Sequence, residues 1–351
     1  MASRMQQTIA LGADFWNDSC DLRELGHGVQ EGAVGATSNP VIVATAIKSD
    51  QATWVPVLDA LVSDFPHDTE EDVAWKLIET VGRRAAALLQ PVWEKTRGRK
   101  GYLSMQVNPK LYRDPVRMLE HARRLAAVAP NVAIKVPATV EGIEAGEQLV
   151  ADGINVNATV SFTVPQALYA AQAFERAMDR ARSAGRDMER VHPYVTLMVG
   201  RLDDHLQRVM AKEAVTLDPG FLHWAGVAVF KEAHRMFRQR GYRSTLLSAA
   251  YRHHLHWSEL VGAGVILTIP YAWWNQFNAS DIEVEARLER PVDPRILDGL
   301  RSRFGEFRRA YEEDGLRPEE FVRYGASIHT LSQFIGGYQE LLGFVRERML
   351  R

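Results

Sequence analysis

From Val132 to Phe162 the chain reads VAIKVPATVEGIEAGEQLVADGINVNATVSF, the stretch that is most informative about its fold. Val132–Val136 and Ile154–Phe162 are short runs rich in β-branched residues, and Glu141–Ala151 between them has apolar residues at helical spacing. Two strands joined by a helix predict a parallel pair, because parallel strands need a crossover of this length.

The same alternation continues on both sides of this unit. Longer stretches of helical periodicity, such as Pro115–Val128, Val164–Ala184 and Asp203–Ala214, separate short apolar runs that suit strands. The eight strand candidates are Thr8–Phe15, Ala33–Val43, Tyr102–Val107, Val132–Val136, Ile154–Phe162, Val191–Val199, Thr245–Tyr251 and Val265–Ile269. Because eight parallel strands with helical crossovers close well, the pattern predicts an α/β fold, a (β/α)8 TIM barrel with additional helices.

We expect a single barrel domain over residues 1–351, since no linker rich in Pro, Ser or Gly divides the chain. The region at about 53–97 is expected to be a helical insertion with more than one helix. Residues from about 275 to 351 are expected to form a helical C-terminal extension.

Composition narrows the function classes. The 351 residues include 42 Lys and Arg against 44 Asp and Glu, and 46% are hydrophobic, so the chain can bury a core and lacks the basic excess of a nucleic-acid binder. A single cysteine, Cys20, excludes an intramolecular disulfide. The first residues carry no secretion signal, and the apolar stretch Val261–Trp274 is too short to span a bilayer. We therefore expect a cytoplasmic protein that binds neither nucleic acid nor membrane.

Lys135 is the one lysine in the middle of an apolar strand candidate. Alternate side chains of a barrel strand point into the lumen, so Ala133 and Lys135 should face inward while Ile134 and Val136 face the helices. Burial should lower the pKa of this amine and supply the neutral nucleophile that a Schiff base requires. The alternative is a structural lysine paired with a carboxylate, and position alone favours neither.

The next strand candidate has one wholly polar face, made of Asn155, Asn157, Thr159 and Ser161. If helices cover the outside of the barrel, this face must line the lumen, where buried amides and hydroxyls need partners. A ligand with several hydroxyl groups, such as a sugar, would supply them. On an exposed antiparallel sheet the same pattern would be an ordinary solvated face.

Further polar residues fall at the ends of strand candidates, where barrel enzymes carry their catalytic groups. Asp18, Asn39 and Gln106 hold such positions, although each could instead be a helix N-cap or a turn residue. Arg201 closes the sixth candidate and Arg252 follows the seventh, the region in which these barrels often hold a phosphate. Both arginines could equally be solvated helix residues.

Three neighbouring histidines, His253, His254 and His256, suggest a metal site at first sight. No carboxylate or further histidine recurs at ligand spacing around them, so we expect no metal ion there. We expect these histidines to be ordinary loop or surface residues instead of metal ligands.

Taken in order, five segments resemble the transaldolase family of class I, Schiff-base aldolases, with some features similar to the fructose 6-phosphate aldolase-like branch. They are Asp18–Asp21, Gly35–Pro40, Ala133–Ile143, Gly153–Phe162 and Met198–Arg201. The interval from Lys135 to Asn157, 157 − 135 = 22, also matches the family. The resemblance covers roughly Thr8–Ile269 and implies a (β/α)8 barrel with its Schiff-base lysine on the fourth strand.

The resemblance also implies a role for each candidate residue. The implied catalytic residues are Lys135 as the nucleophile, Asp18 as the general acid and base, and Thr159 and Gln106 around a catalytic water; the implied substrate-binding residues are Asn39 and Asn157 for hydroxyl groups and Thr196, Arg201 and Arg252 for the phosphate. This chemistry requires no cofactor and no metal ion.

The chain departs from the family pattern at several positions. Gln106 stands where transaldolases usually place a glutamate, and Met198 stands where the aldolase-like branch places a tyrosine. Ala250 and Thr196 replace two serines of the phosphate region. The chain therefore matches neither branch fully, and phosphate recognition is expected to be differently arranged.

The implied activity is transfer of a dihydroxyacetone unit from a ketose phosphate to an aldose acceptor, a reaction of carbohydrate metabolism in the pentose phosphate pathway. Gln106, Met198 and Ala250 motivate an alternative, a stand-alone aldolase or a transferase acting on a modified sugar. A non-catalytic sugar-phosphate-binding barrel is a further alternative, but mere binding needs neither Lys135 nor Asp18. The expected partners are sugar phosphate substrates, and a homodimer is left open.

Overall fold

A computed structural model describes residues 2–351 and contains a closed barrel of eight parallel strands. The strands are β1 Asp14–Asn17, β2 Gly35–Thr37, β3 Tyr102–Gln106, β4 Val132–Pro137, β5 Val156–Thr159, β6 Tyr194–Leu197, β7 Thr245–Ser248 and β8 Val265–Ile269. Each strand pairs with the next in chain order, and β8 pairs with β1 to close the barrel. The predicted (β/α)8 TIM barrel is confirmed.

Helices lie between consecutive strands, because parallel strands need a crossover connection. Further helices precede β1 and follow β8. The helices are α1 Arg4–Ala10, α2 Leu22–Gln30, α3 Pro40–Ser49, α4 Gln51–Asp64, α5 Glu70–Lys95, α6 Pro115–Ala126, α7 Val140–Ala151, α8 Val164–Ser183, α9 Val199–Glu213, α10 Pro219–Leu222, α11 Ala225–Arg240, α12 Leu255–Ser258, α13 Tyr271–Ala279, α14 Pro294–Arg303, α15 Gly305–Tyr311 and α16 Gly325–Met349, with 3-10 turns at Pro109–Leu111 and Pro318–Arg323. Within residues 2–351, none of the helices combines the length and the apolarity that crossing a bilayer would need.

The first strand differs from its prediction because a helix precedes it. Thr8–Ala10 lies in α1, and β1 begins only at Asp14. Ser3 caps α1 by accepting a hydrogen bond from the Gln6 amide, and the Gln6 side chain accepts one from the Ser3 amide in return. This capping box starts a helix where the β-branched residues alone suggested a strand.

Several other predicted strands are also shorter in the structure, and at two of them a helix begins inside the predicted strand or directly at its end. β2 ends at Thr37, and the Asn39 side chain then caps α3, whose first residue is Pro40. β6 ends at Leu197, and α9 begins at Val199. The prediction that Arg201 closes a strand is therefore wrong, because this residue lies in the first turn of a helix.

Aromatic side chains fill the lower part of the lumen. The ring of Trp16 packs edge-on against that of Tyr194 at a centroid distance of 5.0 Å, and Tyr102 lies 6.5 Å from Tyr194. A Cβ atom on Gly35 would lie 2.3 Å from the Trp16 ring, so only glycine fits opposite it. This packing closes the bottom of the barrel, so the polar side chains of the lumen lie towards the carboxyl ends of the strands.

The C-terminal helix α16 packs across the carboxyl end of the barrel. It contacts α3, which follows β2, and α9, which follows β6. Near its middle the Tyr338 hydroxyl donates to Glu71 Oε1 at 2.9 Å and accepts from Trp75 Nε1 at 2.9 Å, both on α5. The helix therefore brings side chains from the end of the chain to the mouth of the barrel.

Candidate active site

Lys135 points into the lumen from β4, as its position in the strand predicts. Its side chain is buried, and Nζ donates to the carbonyl oxygen of Ser38 at 3.4 Å, across the lumen at the end of β2. Burial lowers the pKa of the amine to about 8, an effect that the negative charge of Asp18 opposes and the positive charge of Arg201 reinforces. A substantial neutral fraction near physiological pH makes this amine a competent nucleophile.

Asp18 follows β1 directly and faces the same space. Its carboxylate accepts a hydrogen bond from Thr37 Oγ1 on β2, and the Thr37 hydroxyl lies 3.0 Å from that of Thr268 on β8. Burial raises the pKa of Asp18, while Lys135 and the Thr37 hydrogen bond hold it down. A carboxyl group with a raised pKa, close to an amine with a lowered one, is suited to proton transfer.

Asn157 is the register partner of Lys135 on β5, and Gln106 is its partner on β3. Asn157 Nδ2 donates to Ser104 Oγ at 3.1 Å, and its Oδ1 accepts from Thr196 Oγ1 at 2.7 Å. These bonds fix the orientation of the amide and leave one N–H free to donate into the lumen. Thr196 thus lies behind the amide, contacting Asn157.

Three polar groups on β3, on β5 and just after β5 are buried and incompletely paired. Thr159 Oγ1 makes only a weak contact, 3.9 Å to the sulfur of Met198. Gln106 Oε1 and Ser161 Oγ are buried without a hydrogen-bond partner among the described residues. Buried polar atoms are nearly always paired, so these positions indicate a bound water or ligand.

Two of the four non-glycine residues with a positive φ within residues 2–351 lie at the same end of the barrel. Val160, directly after β5, has a φ of 54°, and Ala250, just beyond β7, has a φ of 66°. The left-handed region is costly for any residue with a Cβ and most of all for a β-branched one. The strain lies beside Thr159 and two residues before Arg252, which is where strain at functional sites is commonly found.

Asn39 is a helix N-cap, and its side chain can also donate to a ligand, so the two interpretations of this residue are compatible. Its Oδ1 accepts from the Ile42 amide at 2.9 Å, so the residue is an N-cap. The cap uses only the oxygen, and the Nδ2 hydrogens remain available to donate to a ligand. Asp18, in contrast, is not the cap of the helix that follows β1, since Asp21 caps α2.

Arg201 extends from the first turn of α9 towards the mouth. Nη1 donates to Gln333 Oε1 on α16, and the guanidinium carbon lies 5.4 Å from the centroid of the Phe334 ring. Nε is buried without a hydrogen-bond partner within residues 2–351. Burial, reinforced by the charge of Arg252, lowers the pKa of this guanidinium to about 10, and it remains a cation at neutral pH.

Arg252 is more exposed, and the protein itself occupies most of its donors. Nη2 and Nε donate to the Asp204 carboxylate at 2.8 and 3.1 Å. Nη1 donates to the carbonyl oxygens of Ala250 at 3.3 Å and Tyr251 at 3.0 Å. A phosphate would therefore compete with Asp204 for this arginine, whereas Arg201 offers an unpaired donor.

His253 and His256 are not isolated, contrary to the expectation from sequence spacing. Both Nε2 atoms contact Asp203 Oδ2, at 3.1 and 2.8 Å, although Asp203 lies 50 and 53 residues away in the chain. The three side chains are close enough to hold a metal ion. However, His256 Nδ1 accepts from the Arg252 amide at 3.1 Å, so its proton is on Nε2 and is donated to Asp203. This pattern favours a hydrogen-bonded cluster, which ties α9 to the loop after β7.

Sequence reasoning missed several side chains of this site. Thr37, Ser104 and Thr268 follow the inward alternation of short strands, so the rule that identified Asn157 could have found them. Gln333 and Phe334 gave no signal, because they lie on an ordinary amphipathic helix far along the chain.

Comparison with known proteins agrees with this geometry. Residues 15–304 match the family described as Transaldolase/Fructose-6-phosphate aldolase. The chain is 35% identical over 230 residues to a transaldolase of Thermobifida fusca (strain YX), covering 62% of this chain and 61% of that protein. It is 31% identical over 290 residues to a transaldolase of Neisseria meningitidis serogroup A, covering 76% and 81%. A transaldolase of Arthrobacter sp. (strain FB24) is 25% identical over 98% of this chain and 97% of its own.

The family match spans all eight strands except the first residue of β1, and the lumen lysine lies on the fourth of them. The chain belongs to the transaldolase/fructose-6-phosphate aldolase family.

Proposed function

We propose that this protein transfers a dihydroxyacetone unit from a ketose phosphate to an aldose acceptor through a Schiff base on Lys135. The observation that carries the proposal is the buried amine, with a pKa lowered to about 8, in a lumen shared with the carboxyl group of Asp18. A structural lysine would be expected to form a close ion pair, but Nζ donates to a backbone carbonyl oxygen. Family membership supports the same conclusion.

The reaction begins when neutral Lys135 attacks the keto carbon of the donor. Loss of water gives a protonated imine, which can accept the electron pair of an adjacent carbon–carbon bond. Asp18 removes the proton of the C4 hydroxyl, the C3–C4 bond breaks, and its electrons pass to the imine to form an enamine. The aldehyde leaves. The enamine then attacks the aldehyde of the acceptor, Asp18 returns the proton to the new hydroxyl, and water releases the product from Lys135.

The remaining side chains orient the substrate for these steps. Asn157, held by Ser104 and Thr196, donates to a hydroxyl of the dihydroxyacetone unit, and the free Nδ2 of Asn39 donates to another. Thr159, whose hydroxyl makes only a weak contact with Met198, and Gln106 hold the water that enters and leaves. Arg201 binds the phosphate. Fixed orientation of this kind accounts for several kcal/mol of barrier lowering in well-positioned reactions.

A second candidate activity is aldol cleavage with release of free dihydroxyacetone. It is favoured by Gln106, a neutral amide with an unpaired buried oxygen. The amide can hold a water without taking its proton, so that this water can protonate the enamine carbon before the imine is hydrolysed. The two activities share every step up to the enamine. They differ in the fate of the enamine, which is either protonated and hydrolysed to free dihydroxyacetone or captured by an aldose acceptor.

Borohydride trapping tests the proposal directly. Reduction in the presence of fructose 6-phosphate should add the mass of a reduced dihydroxyacetone unit to the peptide that contains Lys135. Donor turnover with and without an aldose acceptor then separates transfer from release. An unmodified Lys135 peptide in wild-type protein would show that the lumen lysine is not the nucleophile.

We further propose a single barrel domain, with a helical insertion at about 53–97 and a helical C-terminal extension at about 275–351, in a cytoplasmic protein that is able to form a homodimer. The closed barrel supports the first part, because its edge is sealed by β1 and β8. One cooperative unfolding transition and light scattering after size exclusion test the domain organisation and the oligomeric state. Fractionation of the source cells tests the location.

A further inference from the structure

Gln333 is fixed at both ends of its amide. Its Oε1 accepts from Arg201 Nη1, and its Nε2 lies 3.0 Å from His329 Nε2, one turn earlier on α16. Because Arg201 is a donor only, the oxygen must face it, and the amide hydrogens then point to the imidazole. Phe334, next in the chain, lies against the same guanidinium. Two adjacent residues of the C-terminal helix thus set the position and plane of Arg201.

The part of the chain matched to the family ends at residue 304, and α16 begins at Gly325. The contact between Arg201 and Gln333 joins residues 132 positions apart. The contact therefore brings a residue from beyond the matched part of the chain to a site whose other members come from the barrel.

We propose that Gln333 is a positioning residue that holds Arg201 ready for a phosphate and so sets the preference for phosphorylated substrates; this rests on the proposed function. The amide occupies one Nη1 donor, and the buried Nε is left without a partner for a ligand to meet. Because the amide carries no charge, it orients the guanidinium without neutralising it. Arg252 cannot easily take over, since Asp204 already accepts from two of its nitrogens.

A carboxylate at this position would have the opposite effect. It would pair with Arg201 and compete with the phosphate for the same cation. Gln333→Glu is therefore the most informative variant, and Gln333→Met tests orientation alone because it keeps the length and removes the acceptor. Gln339→Glu is the matched control, since it places the same charge at an exposed position of the same helix.

Binding of inorganic phosphate, measured by titration calorimetry, gives a readout that does not depend on turnover. Relative to wild type, Gln333→Glu should weaken phosphate binding by about tenfold or more and Gln333→Met by about threefold, while Gln339→Glu should change it by less than about twofold. In transfer assays, kcat/KM should fall by similar factors for glyceraldehyde 3-phosphate as acceptor and change little for glyceraldehyde.

The outcomes separate this inference from the proposed function. Equal phosphate affinity of wild type and Gln333→Glu, or an equal loss in Gln339→Glu, would overturn the role of Gln333 even if the enzyme is active. If borohydride fails to trap Lys135 in wild type while Gln333→Glu still weakens phosphate binding, the positioning role stands and the transfer reaction fails. A parallel loss for both acceptors would mean that the substitution disturbs the lumen generally, which also contradicts the inference.

Discussion

Lys135 and Asn157 lie side by side on β4 and β5, as register partners of two parallel strands. Partners in a barrel sheet point to the same side, so the amine and the amide enter the lumen at the same level. Gln106 completes this level from β3. Hydrogen-bonded strands hold all three residues, and strands position side chains more rigidly than loops do.

Replacement of Lys135 by methionine should abolish turnover and trapping while making the fold more stable. Because burial holds the folded-state pKa near 8, below its ordinary value of 10.5, the charge disfavours folding at any pH below about 8. Lys135→Met should therefore raise the free energy of unfolding at pH 7 by about 1 to 3 kcal/mol, with the loss of the attraction to Asp18 offsetting part of the gain.

Urea titrations at pH 7 and above pH 10 would test this, because the difference should shrink as the unfolded lysine also loses its proton. A less stable variant at pH 7 would mean that Lys135 is a structural partner. Retained trapping would remove it as the nucleophile.

The pH dependence should report the same amine. Since only neutral Lys135 attacks a ketone, kcat/KM is expected to rise with pH and level off above a pKa of about 8. The Asp18 carboxylate raises the pKa of this lysine, so Asp18→Asn should move the rise in trapping rate to lower pH even though turnover is lost. The measurement is the rate of borohydride-trapped adduct between pH 6 and 10. A shift to higher pH would contradict the electrostatic coupling.

Thr37 is expected to act through Asp18. Its hydroxyl hydrogen bond helps to hold down the pKa of the carboxyl group, so Thr37→Val should raise that pKa further and misalign the base. We expect kcat to fall by about tenfold or more with a small change in KM, whereas Thr37→Ser, which keeps the hydroxyl, should retain most activity. Steady-state assays of the two variants decide the point, and equal effects would indicate packing instead of hydrogen bonding.

Gln106→Glu should shift the balance from release towards transfer. The introduced carboxylate would occupy the buried position where the amide oxygen is unpaired, and it would hold the proton that the catalytic water must otherwise give to the enamine carbon. Slower protonation leaves the enamine longer for capture by an aldose acceptor. The ratio of product transferred to dihydroxyacetone released, at fixed donor and acceptor concentrations, is the measurement. An unchanged ratio would remove Gln106 from the control of reaction outcome.

Gly200 allows the two arginine-bearing segments to approach each other. A Cβ atom there would lie 2.0 Å from the Ala250 carbonyl oxygen and 2.7 Å from Arg252 Cγ. Gly200→Ala should therefore separate the start of α9 from the loop after β7, lower stability by about 1 to 3 kcal/mol and raise KM for phosphorylated substrates.

Gly26→Ala provides the control, because nothing lies within 4 Å of the added methyl group and the residue is inside α2. This substitution should stabilise the protein by about 0.5 to 1 kcal/mol without changing KM. Thermal or urea unfolding and substrate titration of both variants give the comparison. A Gly200→Ala protein as stable as wild type would show that the two segments can move apart freely.

Local patterns in the sequence predicted the barrel and the inward direction of Lys135. Alternation of strand and helix is visible in any window of the chain, and a lysine among apolar neighbours marks a buried amine. The predicted strand boundaries were less accurate where a capping residue starts a helix among β-branched residues, as Ser3 and Asn39 do. The roles of the site residues follow from the family resemblance and remain to be tested.

What the sequence by itself determined is therefore the periodic part of the protein: eight strands, their crossovers, and the polar face of β5. Only the tertiary structure decided which distant side chains meet. Asp203 joins His256, Asp204 occupies Arg252, and Gln333 holds Arg201, each across 48 or more residues of chain. Periodicity constrains neighbours along one element, whereas these contacts depend on how separate helices pack around the closed barrel, which no local pattern encodes.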